Sequence, residues 1–358
     1  MKNIVLEIRS KTSPYAVLYL VDNLISLSWT SSFQEPGYSQ FVCSVTPAEL
    51  QYFKIQNLVI RGDLDQVHYI TRVEISRDIN GLLYVTCDCM DILNMMNQRI
   101  ILNQIQHTGV LNAYLNKIIK QNVTEPTDAN RKIPLFSTTL SVSSGITSTI
   151  SVQTRWDQVL DKLVDIMKQY NIGIRAGLLS NNTAIAKIFV YRVKDQTIGN
   201  TASNPVAIFS DDLGNLNSWS YSQDISNYKN IAVVAGEGEG TARLYSTAGA
   251  AFNEARYEMY VDARDLSYAD TPSPQDENYR ILLESRGFED LAEYKVMYDA
   301  VTEANAQVYQ ARVDYDIGSL VSVRTEAFSA KALVTQITEI YDSTGYSIFP
   351  TLTVTTLE

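Results

Sequence analysis

Apolar and polar residues alternate along the chain from residue 1 to about 105. Tyr69, Thr71, Val73 and Ile75 fall on one face of a strand, Asp78-Ile79-Asn80-Gly81 interrupts it, and Leu83, Val85, Cys87 and Cys89 share one face of the next. Period two marks strands with one covered face. Asn80-Gly81 supplies the two positive-φ residues of a type I′ turn, so a hairpin is predicted here. YAVLYLVDNLISLSWTSSF and YSQFVCSVT predict further strands, joined through Glu35-Pro36-Gly37. Short strands at this spacing indicate an antiparallel barrel or sandwich.

The period then changes. Ile101, Ile105, Val110, Leu111, Tyr114, Leu115 and Ile118 predict a helix from about Ile100 to Ile119. The serine- and threonine-rich LFSTTLSVSSGITSTI that follows is either a long loop or a set of edge strands. Trp156, Val159, Leu160, Leu163, Met167 and Tyr170 form the stripe of a second helix, with Thr154 as its cap and Asn171-Ile172-Gly173 as its stop. AIAKIFVYRVK reads as a strand, so helix and sheet form a small α+β unit. Strand rhythm returns from Val206 to Asp262. Ser273-Pro274 then predicts the start of a helix through Leu282 and Leu283, ended by Arg286-Gly287, with another helix over Glu289–Asn305. Beyond Val308 the pattern is all strand.

Composition narrows the function classes. The 358 residues carry 29 basic and 40 acidic side chains, a formal net charge of −11, with no basic cluster. Stable nucleic-acid binding and attachment to an anionic membrane are therefore not expected. Glu7 and Arg9 interrupt any signal-peptide core, and no window approaches the ~20 apolar residues that span a bilayer. The 22 tyrosines suit half-covered strand faces and protein contacts. Cys87 and Cys89 with His68 and His107 could suggest zinc, but the Cys-x-Cys spacing fits small residues facing a core better.

The run NIAVVAGEGEG, Asn230 to Gly240, raises the question of a phosphate loop. Its G-x-G-x-G spacing has Thr241 where the dinucleotide motif needs its last glycine, and no Gly-Lys-Ser/Thr follows. Glu237 and Glu239 would repel an anion. It reads as a turn. There is no G-x-S-x-G and no H-E-x-x-H. Arg61-Gly62-Asp63 matches an adhesion tripeptide at chance level, and acidic pairs such as Asp211-Asp212 are unavoidable among 40 carboxylates. No catalytic, cofactor-binding or metal-binding residue is assigned.

The order of the pieces resembles a family. WDQVLDKLVDIMKQYNIGIR, SDDLGNLNSWSYSQDISNYKNIAVVAGEGEG, RYEMYVDARDLS, LLESRGFEDL and the final YDIGSLVSVRTEAFSAKALVTQITEIYDSTGYSIFPTL form a series, in which Asp224 to Asn230 and Asp316 to Val321 are the most distinctive runs. It is similar to the Gp37-like tail proteins of long-tailed phages, related to the baseplate hub and to the N-terminal region of tail-associated lysins. The resemblance implies a mainly β fold with α+β parts. It would comprise a tube-like β-barrel domain at 1–105, an α+β domain at 106–200, a second barrel at 201–262 and 308–358, and a helical insert at 263–307. It implies a homotrimeric baseplate hub that continues the tail tube and meets the tape measure, the spike or tip and the baseplate wedges. Such a protein is made in the bacterial cytoplasm and carried in a virion or a headless, bacteriocin-like tail. With the chain ending at Glu358, lytic and spike functions would belong to other polypeptides. Glu237 and Glu239 are expected on a loop at the lumen or a ring face. The alternatives are a cell-wall hydrolase or glycosidase using paired carboxylates, and a module that binds the host surface.

Overall fold

The computed structural model describes residues 4–179, 184–198, 205–304 and 308–357. The fold is mainly β with α+β parts. The alternating N-terminal segments form β1 (Leu6–Arg9), β2 (Val17–Val21), β3 (Leu24–Ser32), β4 (Tyr38–Val45), β5 (Leu58–Arg61), β6 (Gln66–Arg77) and β7 (Leu83–Asp91), all antiparallel in the order β3-β4-β7-β6-β5-β1-β2. Their inward faces bury Leu27, Trp29, Phe41, Val85, Cys87 and Cys89 in one core. The β6–β7 hairpin stands where Asn80-Gly81 predicts it, with a different turn. The Gly81 N–H donates to the Asp78 carbonyl and the Asp78 N–H to that of Leu82, and of the Asn-Gly pair only Gly81 has positive φ, at 86°. This is a type I turn closed by a glycine bulge, not type I′.

The middle of the chain holds β8 (Ile105–Val110), α1 (Leu111–Ile119), β9 (Ser141–Val142), β10 (Thr149–Thr154), α2 (Val159–Tyr170), β11 (Ile172–Leu178) and β12 (Ala186–Arg192). The helix predicted from Ile100 is therefore partly strand. β8 pairs with β10 along its whole length, and the helix starts only at Leu111. The serine-threonine segment supplies the short strands β9 and β10. Helix α2 buries Val159, Leu160, Leu163, Ile166 and Met167, each contributing roughly 1.5–3 kcal/mol. Asn171 closes it in the left-handed conformation. Its start differs from the expected one. Trp156 has φ 72° and is 57% exposed, its N–H tied to the Ile101 carbonyl, and Thr154 bonds to Asp157 before the helix begins.

The rest comprises β13 (Lys194–Asp195), β14 (Ile208–Ser210), β15 (Leu216–Asp224), β16 (Ile231–Ala235), β17 (Tyr245–Ala248), β18 (Glu258–Asp262), α3 (Gln275–Leu291), β19 (Met297–Ala304), β20 (Ser319–Arg324), β21 (Ser329–Asp342) and β22 (Gly345–Leu357). Pro274 rather than Ser273 occupies the N-cap position of helix α3, without a side-chain cap, and the helix runs past Gly287. A Cβ at Gly287 would lie 2.6 Å from the Ala248 Cβ and 2.7 Å from a Val234 methyl, so this glycine brings the helix close to the sheet instead of ending it. The second helix expected over Glu289–Asn305 is the end of α3 followed by β19, which pairs with β15 and β22. The strands β17-β16-β18 form a separate sheet that shares a core with α3 through Ala232, Val234, Ala248, Leu282 and Leu283. The helix is thus not an insert standing off a barrel, and β16–β18 pack with it.

One sheet of 14 strands runs through both halves of the chain. Its second half, β15-β19-β22-β21, joins the first by pairing β21 with β3, while β20 flanks β21 and carries β13 and β14. Among the described residues no backbone ladder closes either half into a barrel of its own.

Candidate functional site

The seam between β21 and β3, from Gln336↔Ser32 to Tyr341↔Leu27, covers a cluster of buried charge. Arg61, at the end of β5, is fully buried and pairs with Glu339 of β21, itself 1% exposed. Glu339 also accepts from Arg312 Nε at 3.0 Å and from the Tyr346 hydroxyl. Burial pushes the Glu339 carboxyl up, but Arg61, Tyr346 and Arg312 outweigh it and hold it below the usual carboxylate range. Arg61 Nε donates to Asp63 at 3.0 Å, and Arg312 Nη2 donates to the Ser31 hydroxyl at 3.0 Å. The Trp29 ring stacks on His68 with centroids 3.9 Å apart, and its N–H donates to Gln66. Burial, reinforced by Arg61, lowers the His68 pKa to about 3, so the ring stays neutral with Nδ1 bonded to the Ser39 hydroxyl at 2.8 Å.

Beside the seam lies a cavity of about 470 Å³ whose walls include Glu35, Asp63, Asp65, Asp91, Arg175 and Arg312. Asp63 is held by Arg61, and Asp316, on the same wall, lies 3.4 Å from Arg312, so these carboxylates serve the seam. Asp91 differs. Burial raises its pKa to about 7, although its carboxylate accepts the Leu93 N–H at 2.8 Å. A wider groove of about 800 Å³, walled by Ile150, Tyr170, Ile281, Phe288 and Leu291, separates α3 from β10 and α2.

The residues singled out in the sequence are scattered. The glycine run is the loop from β16 to β17. Its ends meet where the Gly236 N–H donates to the Leu244 carbonyl, and Arg243 ties it down by donating to the Gly236 and Ala235 carbonyls and to Asp262. Glu239 is exposed. Glu237 is half-buried, and its carboxylate accepts the Tyr268 N–H at 3.0 Å, so it is a structural partner of the next loop and not a free surface charge. Arg61 of the Arg-Gly-Asp run is out of reach of any receptor. Cys43, Cys87 and Cys89 are buried free thiols, and burial pushes Cys43 up to about 12. His107 faces the Val110 carbonyl in β8, in a different sheet from His68. Asp211 and Asp212 are exposed in a turn. Sequence reading missed the Arg61–Glu339–Arg312 cluster. Its one signal was Glu339, a carboxylate at an inward position between Ile337 and Tyr341 on the same strand face.

The sequence profile of the Siphovirus ReqiPepy6 Gp37-like protein family matches residues 5–354. Among solved structures, the fold is similar to that of the 43 kDa tail protein of prophage MuSo2 from Shewanella oneidensis, at 11% identity and TM-score 0.61 over 98% of each chain. It is also similar to a tail protein from Neisseria meningitidis MC58, at 11% identity and TM-score 0.56 over 98% of this chain and 96% of that one. Prophage tail protein gp18 from Listeria monocytogenes EGD-e is similar at 11% identity and TM-score 0.53, over 99% and 94%. No curated protein matches. The chain belongs to the Siphovirus ReqiPepy6 Gp37-like family of phage tail proteins.

Proposed function

We propose that the protein is a structural baseplate hub at the distal end of a phage tail or phage-tail-like particle, where three copies form a ring that continues the tail tube. The observation that carries this reading is end-to-end coverage. The family profile and the similar tail proteins span nearly the whole chain, so the tail role belongs to the entire fold and not to one appended unit. The open sheet agrees with it, since a tube wall needs strands that continue from one subunit to the next. In this reading β1–β7 make one tube unit, and β15 with β19–β22 makes the other. The tail tube protein and tape measure meet one ring face, and the spike or tip and the wedges meet the other. The protein works without catalysis, by shape and obligate contact.

The test is electron microscopy of tail particles from the producing strain with antibody against this chain. Label at the end distal to the head, or at the baseplate end of a headless tail, is the expected result. Unlabelled tails with the protein free in solution would overturn the reading, and peptidoglycan fragments released by the purified chain would favour a hydrolase instead.

A further inference from the structure

The sequence shows no basic cluster, yet folding gathers one. Residues 98–102, in the connection from β7 to β8, offer backbone carbonyls to three arginines. Arg99 Nη1 donates to the Gln98 carbonyl at 2.9 Å, Arg131 Nη2 to that of Ile100 at 2.6 Å and Arg155 Nε to that of Leu102 at 3.3 Å. Arg99 Nε reaches across to the Arg131 carbonyl at 2.7 Å, and Lys132, next in sequence, is exposed. Among the described residues none of these four cations forms an ion pair; the arginines bond carbonyls instead. Asp128, Asp157 and Asp161, in the same segments, are engaged elsewhere, with the Asn130 N–H, the Thr154 hydroxyl and the Asn97 amide. Each guanidinium is thus held in place with N–H groups to spare. A guanidinium so fixed is a preformed fork for a carboxylate.

The adjoining Trp156 is a second mark of a docking site. Periodicity puts it in the buried stripe of α2, but the ring is 57% exposed and the Arg155 guanidinium lies 4.3 Å from its centroid. Its backbone is left-handed, with φ 72°, and its N–H is tied to the Ile101 carbonyl at 2.8 Å. That conformation strains any residue but glycine, and such strain gathers at functional sites. A large ring kept in water on a strained backbone does little for the core. Tryptophan and arginine together are the side chains that protein interfaces concentrate at their energetic centres.

We infer that this patch docks an acidic segment of another protein, with carboxylates on the guanidiniums and Lys132 and an apolar side chain against Trp156. A nucleic acid or another long polyanion fits worse. The cations are confined to one spot rather than drawn out in a stripe, and the molecule as a whole, at net charge −11, repels a long chain of negative charge. A short segment meets the patch alone. The inference is independent of the hub reading, and the isolated full chain suffices to test it.

The probe is a short fluorescein-labelled peptide of alternating glutamate and leucine, followed by fluorescence anisotropy at low salt. It should bind the full chain, and the same peptide with glutamine for glutamate should not. Lys132→Glu with Arg155→Glu should weaken binding by about tenfold or more. Arg256→Glu with Arg264→Glu makes the same change in net charge at arginines that already have carboxylate partners, and should weaken it far less. Equal losses from the two pairs would overturn the proposal, as would an absence of binding. Should the first pair unfold the chain, Lys132→Gln with Arg155→Gln carries the same comparison. Trp156→Gly keeps the backbone N–H and relieves the strain, so the thermal midpoint should hold while binding falls about tenfold. A lowered midpoint with unchanged binding would show that the ring serves the fold instead. Preference for single-stranded oligothymidine over the peptide would assign the patch to nucleic acid, and self-association that the first pair of substitutions abolishes would assign it to a second copy. Either result overturns the proposal.

Discussion

Arg61 and Glu339 are both cut off from water, so neither charge is solvated when the other is removed. Replacing one partner of such a pair costs about 3–5 kcal/mol, whereas replacing both by apolar groups costs far less. Glu339→Gln should therefore lower the thermal midpoint sharply, and Arg61→Met combined with Glu339→Leu should recover much of the loss. Equal losses for the single and double variants would show that the pair is not what holds the seam. Asp91 gives a pH-dependent case. Its folded pKa, about 7, lies above the unfolded value, so the folded state takes up a proton. The stability it contributes is complete below the unfolded pKa near 4 and is lost as pH rises through 7. Asp91→Asn keeps an acceptor for the Leu93 N–H and should stabilise the protein at pH 8, by on the order of 2 kcal/mol, with the gap closing by pH 4. Thermal melts across that range decide it. On the glycine-rich loop, Glu237→Lys should destabilise because the Tyr268 N–H loses its acceptor, whereas Glu239→Lys should leave the melt unchanged.

At the scale of elements, what was legible was local. Period two gave β3, β4, β6 and β7, and the stripe from Val159 to Met167 gave α2, because each pattern is read within a few residues of itself. What failed depended on distant partners. Ile105–Val110 is apolar enough for a helix but lies along β10, and Met297–Ala304 becomes a strand through pairing with β15 and β22. Gly287 was misread for a similar reason, since a glycine that ends a helix and one that lets it approach a sheet look alike in one dimension. The structure separates them by experiment. Gly287→Ala raises helix propensity by about 1 kcal/mol, yet its methyl would press on Ala248 and Val234, and overpacking costs about 1–3 kcal/mol. A net loss of stability is expected, and a gain would mean that the helix has room to move.

For the whole molecule, the question is whether the halves are separate domains on a linker or one cooperative body. The sheet passes from β21 to β3 without a break, and the Arg61–Glu339 pair lies beneath that crossing, so the N-terminal half is not complete in itself. β13, near the end of the middle unit, pairs with β20 and adds a second tie. A fragment ending at Thr197 would expose the β3 edge that β21 covers and leave Arg61 buried without Glu339. Open edges invite self-association and an unpaired buried charge is strongly unfavourable. The fragment 1–197 made alone should aggregate or remain partly unfolded. Made together with 205–358 it should yield a soluble complex that unfolds in one transition. Independent domains predict the opposite: a monomeric 1–197 with a sharp melt of its own and two transitions in the intact chain.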